Sequence, residues 1–542
     1  MQNQRTTLRK LALIATALTL AGPAQAAAPG PPATPPERSA IKEIKAYCID
    51  FNWAPTQRRG RPLAKPGQWA ATADPAAHVA WYQSIGANVI QTFCVATNGH
   101  AWYHNSFAPV QPGLKHDFLP EVVRLGHQKG LLVFGYFCIA TNPVWGELHP
   151  ELSYGTPATY HIPYTDEYLD YLSKSISDAV KKTGIDGFMI DWVWQPNRQA
   201  TGGKWIEAEK RLYAQLTGEP FPGEDKLTKE QDTAYSRKAI DRCWKAIRKA
   251  AKDANPDCII WLTVNHINHP HVTGSDMYQE ADWLMNEAGS MQGIEKVRSM
   301  VGEHTRLITC MALWNGQDAA QAVPQAAAAG VGLYGFTYPR THDGLIPLEP
   351  IFTRQVSELS GDERNIAVLA RAYHGVSPDA LWQDGRFVEP AVAPPFRIGL
   401  KGRGRGLQDT AVISHEQGKA SATITTPYDR GRAQLVRSGE NWPGTITIRL
   451  QKRPGQTSAA MSIKAANGVS GFHAQLDCTA TVNLVPLDGE LDLGREWGDR
   501  FPAAAAAVAK AEVKVDRTGQ AVEITLPGQL TAGNPKILTI EW

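Results

Sequence analysis

The chain has 542 residues, more than one hydrophobic core usually serves, so two folded units are expected. Its formal net charge of +2 excludes the strongly basic surface of a nucleic-acid binder or a polybasic membrane anchor. Seven cysteines, an odd number with no Cys-x-x-Cys, read as buried thiols acting as small hydrophobes, with a bridge between neighbouring strands as the alternative in an oxidising compartment.

Residues 1–26 have the form of an export signal. MQNQRTTLRK is basic, LALIATALTLAG is a short apolar run, and Ala24-Gln25-Ala26 is a small-residue cleavage site. The run is too short to span a bilayer, so export without stable membrane insertion is expected, to the periplasm or the exterior. Residues 27–40, rich in Pro and Ala, read as a tether.

From 41 to 375, short apolar runs alternate with helical patterns. AYCIDFNW (46–53) precedes ADPAAHVAWYQSIG, a helix with an Asp at its start and a Gly at its stop. ANVIQTFCVA (87–96) precedes the helical DFLPEVVRLGHQKG, and LLVFGYFCIA (131–140) precedes TDEYLDYLSKSISDAVKKTG, with Thr165 as N-cap. GIDGFMIDWVW (184–194) is followed by the basic amphipathic AYSRKAIDRCWKAIRKAAKDAN. CIIWLTVNH (258–266), ADWLMNEAG (281–289), TRLITCMALW (305–314) and GVGLYGFTYP (330–339) complete eight strand-like runs. Near-continuous apolar strands separated by helices imply a parallel sheet covered on both faces. Eight such units, with no glycine-rich phosphate loop after the first, predict an α/β chain built on a (β/α)₈ TIM barrel.

Residues 376–394 read as a linker. From 395 to 542 the pattern shortens to alternating runs such as ASATITTP, GTITIRLQ, AAMSIKAAN, QAVEITLP and KILTIEW, which predict an antiparallel all-β sandwich.

In a closed barrel, chemistry sits at the C-terminal ends of the strands. The groups there form the candidate substrate-binding set: Asp50, Asn52 and Trp53; His100 and Trp102; Tyr136 and Trp145; Trp194; Asn265 and His266; Asn286; Trp314; Tyr338. Aromatics suit this role because they stack on the apolar C–H faces of sugar rings, although core packing uses the same residues.

GIDGFMIDWVW carries the strongest signal. Alternate side chains of a strand share a face, so Gly187, Met189 and Asp191 point one way and Phe188 and Ile190 the other. Asp191 then emerges at the mouth among apolar neighbours. An ionised carboxylate there suits a reaction that develops positive charge, as glycoside cleavage does through its oxocarbenium-like transition state. The second carboxyl this chemistry needs is assigned to Glu287, beside Met285 and Trp283, where apolar surroundings raise the pKa of a general acid. Asp50, Glu280, Asp343 and Glu147 compete for that role. The run NHINHPHV offers His266, His269 and His271 to a metal, but Pro270 prevents a regular helix and no second cluster accompanies it. Neither a metal nor a cofactor is expected.

The stretches ANVIQTF, NGHAWYHNSFAP and HDFLPEVVRLGHQKGLLVFGYFCIATNPVW, followed by IDGFMIDWVW, resemble the second to fourth strands of the α-L-fucosidases and related retaining α-glycosidases. The resemblance covers roughly residues 80–195. It implies a barrel with a C-terminal β-sandwich, a carbohydrate substrate, and the nucleophile's role for Asp191. The chain departs from the family in having Asn52-Trp53-Ala54 where the first strand normally ends in His-Trp-Gly, and Asn98-Gly99-His100 in place of paired histidines. The expectation is an exported glycosidase, with retention and inversion both open. α-Galactosidase-like specificity, a non-catalytic carbohydrate-binding barrel and a metal-dependent barrel hydrolase are the alternatives.

Overall fold

The computed structural model describes residues 41–51, 66–156, 159–191, 193, 198–264, 267–287, 291–312, 319–338, 344–401, 408–428 and 430–453. Beyond these it describes strands at 459–465, 471–476, 482–485, 512–516 and 521–527, and residues 537–542. The leader and tether lie outside the described residues.

Eight parallel strands close into a barrel: β1 (Lys45–Ile49), β2 (Val89–Val95), β3 (Leu132–Cys138), β4 (Gly187–Asp191), β5 (Ile259–Val264), β6 (Trp283–Asn286), β7 (Arg306–Met311) and β8 (Gly332–Thr337). Each strand bonds to its neighbours in chain order, and β8 returns to β1. Seven fall within the predicted runs, and β1 starts one residue ahead of its run, at Lys45. They are buried on both faces, which is why the runs lack polar alternation.

The helices between them begin at side-chain caps. Asp74 accepts from Ala77 N (2.7 Å) ahead of Pro75–Ser84, and Thr165 from Tyr168 N ahead of Asp166–Thr183. The helix Lys229–Ala254 starts several residues earlier than its apolar pattern, because Thr228 and Gln231 form a capping box.

The register decides which residues enter the barrel. Phe134 pairs with Gly187, Trp261 with Trp283, Cys310 with Tyr334 and Cys48 with Gln91. Carried round the closed sheet, this places Cys48, Phe134, Gly187, Trp261, Trp283 and Tyr334 on the inner face. Their rings fill the barrel floor: Phe134 stacks on Trp283 at 4.7 Å, and Trp261 meets Tyr334 at 5.4 Å. Gly187 is required there. A Cβ would come within 2.7 Å of the Phe134 ring and 2.2 Å of the Ile259 carbonyl oxygen.

The segment expected as a linker is instead partly structured. Leu381–Gln383 and Arg386–Val388 form a hairpin around Asp384 and Gly385, both at positive φ. Trp382 and Phe387 pack on Phe352 at 5.3 and 5.0 Å, and buried Arg371 donates to the Ala380 carbonyl. The hairpin therefore belongs to the barrel's packing.

The C-terminal region forms two sheets. One orders Phe396–Lys401, Arg432–Arg437, Ile537–Glu541, Ala459–Ala465, Gly471–Leu476 and Val482–Val485. The other orders Thr410–Glu416, Lys419–Thr426, Thr445–Lys452, Ala521–Pro527 and Glu512–Asp516. Alternate residues such as Ile424, Ile448 and Ile524 meet Phe396, Leu435 and Ile540 in one core, which makes a sandwich. The pairing of Lys419–Thr426 with Thr445–Lys452 is parallel, a departure from the all-antiparallel expectation.

Candidate active site

The inner-face parity that fills the barrel floor continues to its mouth. On β4 it runs Gly187, Met189, Asp191, as the alternation in the sequence requires. On β3 it runs Phe134, Tyr136, Cys138, and Cys138 pairs with Asp191. Asp50 and Glu287 each lie one residue past a strand, yet both continue the ladder. Asp50 N bonds to the Thr337 carbonyl and Glu287 N to that of Val264, each at 2.9 Å. The register thus turns Asp50, Asp191 and Glu287 inward from β1, β4 and β6.

Asp191 is 8% exposed, and Tyr136 Oη donates to its Oδ2 at 2.8 Å. That bond favours the ionised carboxylate. Glu287 is half-buried at the rim. Burial pushes its pKa up to about 8, and the negative charges of Asp191 and Asp50 push in the same direction. Burial and the nearby Asp191 and Asp50 also raise the Tyr136 phenol, so it remains a donor. The buried thiols of Cys138 and Cys310 are held protonated, chiefly by burial. At the barrel mouth these groups set one carboxyl, whose proton burial holds, in the fields of two others.

Other expected residues fall elsewhere. Trp102 is 2% exposed and packs against Phe51, Phe93 and Phe118, with centroids 5.4, 6.0 and 5.6 Å away. It belongs to the core between β2 and the helices and presents no face to a sugar. Trp145 is likewise covered, by His149 at 4.3 Å and Tyr168 at 4.8 Å. Asn286 precedes Glu287 and so takes the opposite face of β6, toward the helix layer. The two tryptophans are corrected from substrate-binding candidates to packing residues. His100 stays at the rim, half-buried against the Pro109 and Val110 carbonyls, and burial lowers its pKa. Tyr338 sits at the end of β8 with its ring edge-on to Phe336 at 5.2 Å. Asn52, Trp53, Trp194, Asn265, His266 and Trp314 lie outside the described residues.

Of the competing acids, Glu280 accepts from Trp244 Nε1 at 2.7 Å and precedes β6, at the opposite end of the barrel from the mouth. Glu147 is exposed on the helix after β3, and Asp343 lies outside the described residues. Among the described residues no group of three His, Cys, Asp or Glu side chains is placed to hold a metal ion. His271 instead approaches Asp232 at 3.9 Å, and burial lowers its pKa to about 4.

Two features of the same end of the barrel were missed in the sequence. Arg198, seven residues past Asp191, is clamped by the fully buried Glu209, which also accepts from Tyr154 Oη and Tyr235 Oη. The second is the donor role of Tyr136, which the common parity of β3 and β4 could have indicated.

No family model matches the chain, and no curated protein matches it in sequence. Similar solved structures include α-L-fucosidase isoenzyme 2 from Paenibacillus thiaminolyticus, at 13% identity over 61% of this chain and 49% of that one, TM-score 0.43. The chain thus spans about half the length of that enzyme. Others are the glycoside hydrolase domain of PgaB (BpsB) from Bordetella bronchiseptica (12%, 54% of this chain, 93% of that chain, TM-score 0.40) and an α-L-fucosidase from Bacteroides thetaiotaomicron (10%, 91% of each, TM-score 0.37). At these scores the likeness assigns neither a residue role nor a substrate to this chain.

Proposed function

We propose that this protein is an exported glycoside hydrolase, a retaining α-glycosidase of the α-L-fucosidase-like kind, with Asp191 as nucleophile and Glu287 as acid/base. The observation that carries the reading is the pair of inward carboxyls, one of them held protonated near neutral pH by burial and by the charge of the other. Environments that push two carboxyl pKa values apart separate an acid from a nucleophile.

In the first step the Asp191 carboxylate attacks the anomeric carbon while Glu287 gives its proton to the departing oxygen. The glycosidic C–O bond breaks and an ester to Asp191 forms. Tyr136 keeps its bond to Oδ2 and orients the attacking oxygen. In the second step Glu287, now ionised, takes a proton from water. The water oxygen attacks the same carbon and Asp191 leaves as carboxylate. Two inversions give net retention. Export through the leader at 1–26 belongs to the same proposal and is checked by the N-terminus of the mature protein.

The test is a screen of nitrophenyl α- and β-glycosides, run with and without a chelator. Turnover should survive chelation, and Asp191→Ala should reduce it at least ~1,000-fold, the scale of removing a nucleophile. Unchanged turnover in Asp191→Ala sinks the mechanism. Turnover lost to the chelator favours a metal-dependent hydrolase instead.

A further inference from the structure

The barrel and the sandwich close over a buried acid. The turn Val356–Glu358, which leads into the helix Gly361–His374, packs on the sandwich strand Thr410–Glu416. Gln355 Nε2 crosses the junction to the Ile413 carbonyl at 3.4 Å. Asp409 immediately precedes the strand. It is 0% exposed, and neither carboxyl oxygen has a hydrogen-bond partner among the described residues. The groups that face it come from both domains: Arg364 from the helix, and Thr426, Lys452 and Arg453 from the ends of the strands Lys419–Thr426 and Thr445–Lys452. All of them are engaged with the backbone. Arg364 Nη1 donates to the Val356 carbonyl at 3.1 Å, Arg453 Nη2 to that of Gln408 at 2.9 Å and Lys452 Nζ to that of Tyr428, while Thr426 Oγ1 accepts from Tyr428 N at 3.0 Å. On the turn, Glu358 accepts from Gln355 N at 2.8 Å, and on the strand His415 and Glu416 are exposed. Arg403 and Arg405 lie outside the described residues.

A carboxyl enclosed in this way suits the junction while it holds its proton. Ionised, it becomes a buried charge without a hydrogen bond, which cations bonded elsewhere only partly offset. Its pKa accordingly stands at about 6, above the ordinary 3.8. An asparagine of the same shape would carry no charge at any pH, so the acid gives this contact a dependence on protons that packing does not require.

We infer that Asp409 is a proton-operated catch between the barrel and the sandwich, closed with the proton on and loosened with the proton off, when the turn Val356–Glu358 and the strand Thr410–Glu416 part to admit water to the carboxylate. The inference is independent of the glycosidase reading.

Hydrogen exchange of the full chain between about pH 4.5 and 7, corrected for the intrinsic effect of pH on amide exchange, tests it. Opening returns the carboxyl from about 6 to its ordinary 3.8, so the opening equilibrium of the junction should rise roughly twentyfold over that span. The amides of Thr410–Glu416 and Val356–Glu358 should show the rise, and those of the barrel strand β2 should not. In Asp409→Asn the junction amides should stay slow and level. The same rise in Asp409→Asn overturns the inference. So does a wild-type profile that is flat at the junction, or one that β2 shares, because unfolding would then be global. Should Asp409→Asn not fold, the wild-type comparison of the junction with β2 decides alone on those two outcomes.

Discussion

Tyr136 touches the acid on which the proposed chemistry depends. Its phenol donates to Asp191 Oδ2, so Tyr136→Phe removes one charged hydrogen bond and little volume. Such bonds are worth about 1.5–3 kcal/mol, so kcat/KM should fall about tenfold to a hundredfold with the melting temperature little changed. A loss confined to stability would make the bond structural. The neighbouring acid predicts a pH profile. Glu287 must be protonated to act and titrates near 8, so kcat/KM should fall on the alkaline side of that value. Asp50 adds to that shift, so Asp50→Asn should move the alkaline limb to lower pH. An unmoved limb would separate Asp50 from the acid. At this scale, legibility depended on periodicity. Asp191 ends a strand and Glu287 continues the ladder one residue past another, so alternation tells inside from outside for both, and the register turns both inward. Trp102 and Trp145 lie in loops and a short helix, which carry no such alternation. A tryptophan over the mouth reads the same there as one folded into the core.

Each element of the mouth is held by contacts distant in sequence. Glu209 receives Arg198 Nε at 2.9 Å, Tyr154 Oη at 2.6 Å and Tyr235 Oη at 3.0 Å, and Arg198 stacks on Trp205 at 3.8 Å. This hub ties the segment after β4 to the hairpin Tyr154–Thr156/Thr159–His161 and to the helix Lys229–Ala254. Glu209→Gln leaves the Arg198 charge beside a neutral amide, with Asp232 at 3.7 Å the one other acid paired with it among the described residues. Breaking a buried pair from one side costs about 3–5 kcal/mol, to be read as a lower urea midpoint. Arg198→Met combined with Glu209→Met should recover much of it, since a neutral packed pair needs no desolvation of charge. A midpoint unchanged in Glu209→Gln would mean that the hub holds nothing. None of this was visible in the sequence, because hydrogen bonds between residues 11 to 55 positions apart leave no local pattern. The eight barrel strands were visible because burial on both faces writes itself as an apolar run. The hairpin around Asp384-Gly385 was mistaken for a linker because its three-residue strands are too short to alternate. Trp382 and Phe387, seated on Phe352, show that it is packed.

For the whole molecule, folding changes how tightly buried acids hold their protons. Glu287 rises from 4.5 to about 8. Asp409, fully buried where the sandwich strands begin, rises from 3.8 to about 6, because burial outweighs Thr426 and the cations Arg453, Lys452 and Arg364. For both groups the folded state binds the proton more tightly. Their contribution to stability is therefore fully present below the unfolded pKa and is lost as pH rises through the folded one. Two buried histidines act in the opposite sense lower down: His78, held near 3, and His271, near 4, are neutral in the fold and favour it as pH rises toward 6.5. Between pH 6.5 and 8 those histidines have finished titrating and Glu287 remains, so difference melts isolate it. Glu287→Gln should melt with the wild type near pH 4.5, gain on it steadily to about pH 8 and then stay ahead, while losing glycosidase activity. Asp409→Asn should gain only between about pH 4 and 6 and should keep full activity, since its carboxyl lies at the sandwich rather than at the barrel mouth. Equal melting curves for Glu287→Gln and wild type at pH 8 would show that Glu287 is not withheld from ionising, and the acid would have to be sought elsewhere on the rim.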